Sequence, residues 1–188
     1  MRRTLLPLVL IVAALFPATL PAEENLTSST LPDFLARYDE NFGPLDTVYS
    51  ELANEALPLR DEQGQPLGRQ HIEDRRQALA DLRQSARQLA ASPQDLVRAA
   101  MLVFRTETLA DDLFDLSQIA YDNDREELGK RLGDLQITMD HNKNSLAAYL
   151  LTLAAEKQER IDQLEREKAE LEQKLRELAT PKTEPAHR

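Results

Sequence analysis

Residues 125–179 read REELGKRLGDLQITMDHNKNSLAAYLLTLAAEKQERIDQLEREKAELEQKLRELA, and this stretch decides the fold. From Asp134 to Thr180 there is neither Pro nor Gly. Leu, Ala, Gln, Glu, Lys and Arg dominate, residues that lose little rotamer freedom in a helix. One helix over Arg125–Ala179 is predicted, and about 55 residues at about 1.5 Å each reach about 80 Å. Its first half carries Leu128, Leu132, Leu135, Met139, Asn142, Leu146, Tyr149 and Leu153 at steps of three and four, a seam suited to a helix bundle. Its second half carries Ile161, Leu164, Lys168, Leu171, Leu175 and Leu178 at the same steps. Carried past Leu153, the first seam meets charged Glu156 and Arg160, so the stripe slips by one residue between the two halves. Bundle contacts are therefore expected to end near Ala155, and a different contact to begin at Ile161.

That second contact has the pattern of a short coiled coil over 156–179. Ile161, Lys168 and Leu175 take the a positions, and Leu164, Leu171 and Leu178 the d positions. Leu at every d with one polar a residue favours two strands in a fixed register. In a parallel self-pair Arg160 would attract Glu165, Glu167 would repel Glu172, and Lys174 would meet neutral Ala179, so the flanking charges do not specify that arrangement. The competing reading is a lone solvated helix. Glu156–Arg160, Asp162–Arg166, Glu170–Lys174 and Glu172–Arg176 are acid-first i, i+4 pairs, each worth about 0.2–0.5 kcal/mol without a partner. The leucines decide for pairing, because each large apolar side chain left in water forgoes about 1.5–3 kcal/mol of burial.

Upstream, punctuation marks further helices. Asp122-Asn123-Asp124 precedes the long helix, with Asp124 and Glu127 spaced as a capping-box variant. Ser92-Pro93 is a start signal, Ser capping free amides and Pro suiting the first turn, for a helix from Pro93 to Tyr121. Leu96, Ala100, Val103, Phe104, Leu109, Leu113, Phe114, Leu116 and Ala120 give it a broad apolar face. A helix over Arg69–Ala91 buries Ile72, Leu79, Leu82, Ala86 and Leu89. Between Leu31 and Leu57 the apolar residues are Leu31, Phe34, Leu35, Tyr38, Phe42, Leu45, Val48, Tyr49, Leu52 and Ala56, with Gly43-Pro44 predicting a kink or two consecutive helices. Residues 58–68 read as a loop. Short turns at 92–93 and 122–124 make neighbours antiparallel. The expected fold is all-α: an antiparallel helical bundle over 31–155, with a long C-terminal helix outrunning its partner by about 25 residues and projecting as a short coiled coil.

The chain begins like an export signal. Arg2 and Arg3 precede an apolar run, Leu5–Phe16, followed by Pro17 and a small-residue stretch to Ala22. The run of about 12 residues is short of the roughly 20 that span hydrocarbon. Leu20 departs from the small residue usual three places before a cleavage point. The expectation is a signal peptide over 1–22, cleavage near Ala22 and a periplasmic or extracellular location, with membrane association only if the segment is uncleaved. Residues 23–30 and 180–188 are expected to be a disordered linker and tail. Asn25-Leu26-Thr27 matches a glycosylation sequon, a three-residue pattern of little weight.

The 188 residues carry a net charge of −10 and no Cys. That excludes disulfides, thiolate metal sites and Cys catalysis, and it argues against a nucleic-acid partner. His71, His141 and His187 stand in no metal-binding motif. Glu107, Asp111 and Asp115 line one helical face, and Arg69, Arg76, Arg83 and Arg87 another; ion pairing, including Arg76 with Asp112, is a better reading than a cation site. Asp122, Asp124 and Glu126 imitate a calcium loop, but its Gly place holds Glu127 and its closing Glu place holds Gly133. Gly129 and Gly133 permit close helix approach or a fraying helix entry. No nucleophile elbow, phosphate loop or dinucleotide turn occurs. No catalytic, cofactor or metal residue is therefore assigned. The leading expectation is an exported, non-enzymatic protein acting through protein–protein contacts of its bundle and coiled coil, toward a partner or a copy of itself. The alternatives are a periplasmic holdase-type chaperone, and a small-ligand or metal sensor with Asn142 as its interior polar group.

Overall fold

Pro44 has no amide hydrogen to give the Glu40 carbonyl, and its ring crowds that carbonyl, so the first helical region divides. In the computed structural model, which describes residues 26–54 and 58–179 with side chains as far as Leu178, α1 spans Leu31–Glu40 and α2 Phe42–Asn54. Asn41 lies between them, its amide turned back to the Tyr38 carbonyl at 3.2 Å. The expected alternative of two consecutive helices is the one that forms. α3 spans Arg69–Ala91, α4 Leu96–Asp122 and α5 Glu126–Ala179. The fold is all-α; among the described residues the only β pairing is an isolated bridge between Arg60 and Pro66.

Leu31, Phe34, Leu35, Tyr38, Phe42, Leu45, Val48, Tyr49 and Leu52 are all buried, as their spacing predicts, whereas Ala56 lies outside the described residues. The Tyr38 ring meets Phe42 edge-on at 4.8 Å, and the Arg83 guanidinium lies 5.3 Å from the Phe42 centroid. α3 buries Ile72, Leu79, Leu82, Ala86 and Leu89.

α4 departs from its expected reading at both its start and its face. Ser92 does not cap it. Ser92 ends α3, its amide donating to the Leu89 carbonyl at 3.0 Å, and Pro93 lies in a turn. Asp95 is the cap, its carboxylate accepting the Arg98 amide at 3.0 Å. Asp serves as well as Ser at such a place. The buried stripe is Ala99, Leu102, Thr106, Leu109, Ala110, Leu113, Leu116, Ser117 and Ala120. Phe104 and Phe114, expected on it, are 65% and 53% exposed. Small and polar residues complete the true stripe, and steps of three and four from Leu102 leave both Phe rings off it.

Asp124 does not cap α5 either, because its φ is 58°. It is the left-handed residue of a Schellman turn: its amide reaches the Tyr121 carbonyl at 3.1 Å and the Arg125 amide reaches the Ala120 carbonyl at 2.9 Å. Where this turn delivers α5 to α4, Ser117 Oγ donates to the Gly129 carbonyl at 2.8 Å. A Cβ at Gly129 would stand 2.9 Å from the Tyr121 ring, so glycine permits the close approach there. Farther along α5, the Tyr149 hydroxyl donates to the Pro93 carbonyl at 2.5 Å and lies 3.3 Å from Ser28 Oγ.

The linker expected over 23–30 is replaced, from Leu26 on, by a turn. Leu26 is buried, and the Thr27 amide donates to Thr30 Oγ1 at 3.0 Å. The loop over 58–68 is tied down by Asn123, which accepts the Arg60 amide at 2.9 Å and donates to its carbonyl at 2.8 Å. The expected signal segment 1–22 and tail 180–188 lie outside the described residues. No helix among the described residues is long and apolar enough to cross a membrane.

Candidate functional site on the last helix

Leu153 is the last buried residue of α5, and every side chain from Ala155 to Leu178 is exposed. The sequence-predicted seam lies within this stretch. Ile161 is 49% exposed, Leu164 47%, Leu171 60%, Leu175 66% and Leu178 84%. Steps of three and four bring them onto one edge. Lys168, at the polar a position, directs its ammonium to Glu172 at 4.0 Å, and Arg176 meets the same carboxylate at 3.6 Å. Arg160 approaches Glu167 at 4.0 Å. Asp162 accepts from Gln158 at 2.9 Å, and its carbonyl accepts from Arg166 at 3.2 Å. The edge holds no nucleophile and no cluster of metal donors. What it can offer chemically is apolar surface framed by charge.

The acidic and basic stripes do not meet each other. Arg83 pairs with Asp46 at 2.6 Å and Asp39 at 3.7 Å, and Arg87 with Asp39 at 3.8 Å, so these two arginines serve α1 and α2. Arg76 pairs with Glu73 on its own helix at 3.1 Å, and Arg75 takes the place expected of it, 3.7 Å from Asp112. The correction is one residue. Arg75 stands between Ile72 and Leu79 on the buried stripe, where its aliphatic stem is covered and its side chain is only 19% exposed. Lys143 of α5 has its pKa raised, chiefly by its 2.9 Å hydrogen bond to Asp140, with the charges of Glu107 and Asp111 adding to the rise.

Sequence reasoning missed a mainly apolar cavity of about 170 Å³ whose lining includes Tyr49, Leu82, Leu109 and Thr108 together with the charged Arg75, Arg105 and Asp112. Tyr49 is fully buried, and neither its hydroxyl nor Arg75 Nε has a hydrogen-bond partner among the described residues. Burial pushes the Tyr49 phenol and the Asp112 carboxyl above their ordinary pKa values, Arg75 opposing both shifts. The available signal was a charged residue on an apolar stripe. Asn142 is 7% exposed, and its Nδ2 likewise has no partner among the described residues. His71 and His141 are exposed, and His187 lies outside the described residues. No group of three or more His, Asp or Glu among the described residues is placed to hold a metal.

Neither a family model, nor a curated protein, nor a solved structure matches the chain.

Proposed function

We propose that this is an exported, non-enzymatic protein that works by protein–protein contact. Its helices form an antiparallel bundle, and α5 projects from it as a short coiled coil presenting Ile161, Leu164, Lys168, Leu171, Leu175 and Leu178. The Ser117–Gly129 and Pro93–Tyr149 hydrogen bonds, one at each end of α4, support the antiparallel course. The basic start and apolar run before Ala22 support export. The observation that carries the reading is that five large aliphatic side chains share one edge with every neighbour from 155 to 178 exposed. Full burial of each is worth about 1.5–3 kcal/mol. Association costs about 4–15 kcal/mol in lost freedom. The two terms are of similar size, so the seam supports a reversible contact.

Light scattering on the chain with and without residues 156–188 tests this. Loss of a dimeric mass on truncation supports the reading. Unchanged mass, together with suppression of client aggregation, would replace it with a holdase. A second reading, a small-ligand sensor, is favoured by the unpartnered Tyr49 hydroxyl and Arg75 Nε in one cavity. It requires a melting temperature that rises with an added metabolite and does not rise in Tyr49→Phe.

A further inference from the structure

We infer that the occupant of the α5 seam is a second copy of this chain, running antiparallel. This rests on the reading that the seam is a contact surface. The argument begins with direction. At about 100° per residue, Leu164, eleven residues beyond Leu153, points within about 20° of it. Taken together, the seam and the buried edge of α5 point the same way to within about 30°. The one-residue slip between the halves produces this alignment. A strict seven-residue repeat drifts by about 20° per heptad on a straight helix, and an added residue returns it. The seam therefore overhangs the end of the molecule where Pro93 and Ser28 meet the Tyr149 hydroxyl.

That overhang decides orientation. Paired helices lie about 8–10 Å apart. A parallel copy, seam to seam, would carry its own α4 on the side facing the first chain. Each α4 would then occupy the space of the other copy's α5. No Pro or Gly lies between Asp134 and Thr180 to bend α5 away. The parallel pair would also stack Lys168 on Lys168 and set Glu167 against Glu172.

The antiparallel pair avoids the clash and takes Lys168 off Lys168, while one of its flanks still sets glutamates together. Its layers set Ile161 beside Leu178 of the second copy, Leu164 beside Leu175, and Lys168 beside Leu171, each layer repeated by the twofold axis. On one flank Glu167 meets Lys174 of the second copy. On the other, Glu165 and Glu172 of both copies gather, and there the two Lys168 ammoniums lie, each already turned to Glu172 at 4.0 Å. The polar a residue thus offsets part of the charge of that acidic flank. The lengths agree as well. The exposed stretch 155–178 is about 36 Å long. Ala179 comes level with Arg160 of the second copy, so each tip stops short of the other's buried region.

Introduced cysteines test this in the full chain, which has none of its own. Leu164→Cys and Leu175→Cys chains are prepared separately, mixed and oxidised, with mass followed by light scattering. The expected result is a dimer in which the mixture forms disulfide at least about tenfold more than either variant alone, because like positions stand about 16 Å apart along the axis. Rapid self-linkage of Leu164→Cys would mean a parallel pair; the inference would fail and the seam would stand. A monomeric mass at every concentration would reject the second copy. A dimer that survives Leu171→Glu with Leu175→Glu would place the contact elsewhere and overturn the seam reading itself.

Discussion

The Tyr38 hydroxyl donates to Thr106 Oγ1 across 2.7 Å, joining α1 to α4 where both residues are buried. The donor is assigned by what Thr106 does with its own hydrogen, which goes to the Leu102 carbonyl at 2.8 Å. Burial pushes the phenol pKa well above its ordinary value, with Thr106 opposing, so the hydroxyl keeps its proton. Thr106→Val leaves the Tyr38 hydroxyl stranded and should cost about 1–3 kcal/mol in urea unfolding. Tyr38→Phe leaves Thr106 satisfied by Leu102 and should cost only about 0.5–1.5 kcal/mol. Equal losses, or the reverse order, would show that the pair is not built this way.

Much of this fold is legible before any coordinates. The bounds of α3 and the burial of Leu31 through Leu52 follow from apolar spacing, because large aliphatic residues dominate those stripes. The buried stripe of α4 is less legible, because it runs through Ala99, Thr106, Ala110 and Ser117, which carry little hydrophobic signal. The Asp112 partner is Arg75 rather than the expected Arg76, because a long stem lets an arginine occupy a core stripe. Spacing alone names the residues of the α5 seam. Their alignment with the buried edge is not legible in spacing, because a heptad frame hides the turn of a straight helix.

Asp112 gives a pH signature. Desolvation raises its pKa in the folded chain, Asp115 and Asp111 add to the rise, and Arg75 opposes it. The folded state then holds the proton more tightly than the unfolded chain does. This group favours folding most below its ordinary pKa, and that contribution is lost as pH rises through the elevated folded value. Asp112→Asn removes the dependence. Urea unfolding from pH 7 down to pH 4 should show the stability of the variant relative to the parent falling as pH falls. A constant difference would remove Asp112 as the source.

Two glycines one turn apart should respond differently to Ala. A helical Gly costs about 1 kcal/mol relative to Ala. At Gly133 a new Cβ meets Ser117 Oγ at 3.5 Å, an ordinary contact, so Gly133→Ala should stabilise by about 0.5–1 kcal/mol. At Gly129 the Cβ would stand 2.9 Å from three atoms of the Tyr121 ring. The ring is 43% exposed and can swing aside, which forfeits its contact and offsets the propensity gain. Gly129→Ala should therefore be neutral or destabilising. Equal gains from the two substitutions would show that Tyr121 does not guard the α4–α5 approach.

Asn142 separates stability from specificity. It sits on the buried edge of α5 between Met139 and Leu146, and its amide nitrogen has no partner among the described residues. An unsatisfied buried donor costs about 1–3 kcal/mol, which a leucine of similar volume would not incur. Asn142→Leu should raise the thermal midpoint by roughly 2–4 °C for each kcal/mol regained. If the asparagine holds the register of α5 against α4, as polar core residues do in coiled coils, the gain should come with a looser native state. Faster amide exchange around Met139–Leu146 would report it. A lowered midpoint would mean that the amide makes a bond the protein side chains do not supply, and the interior of α5 would then become the place to look for a bound small molecule.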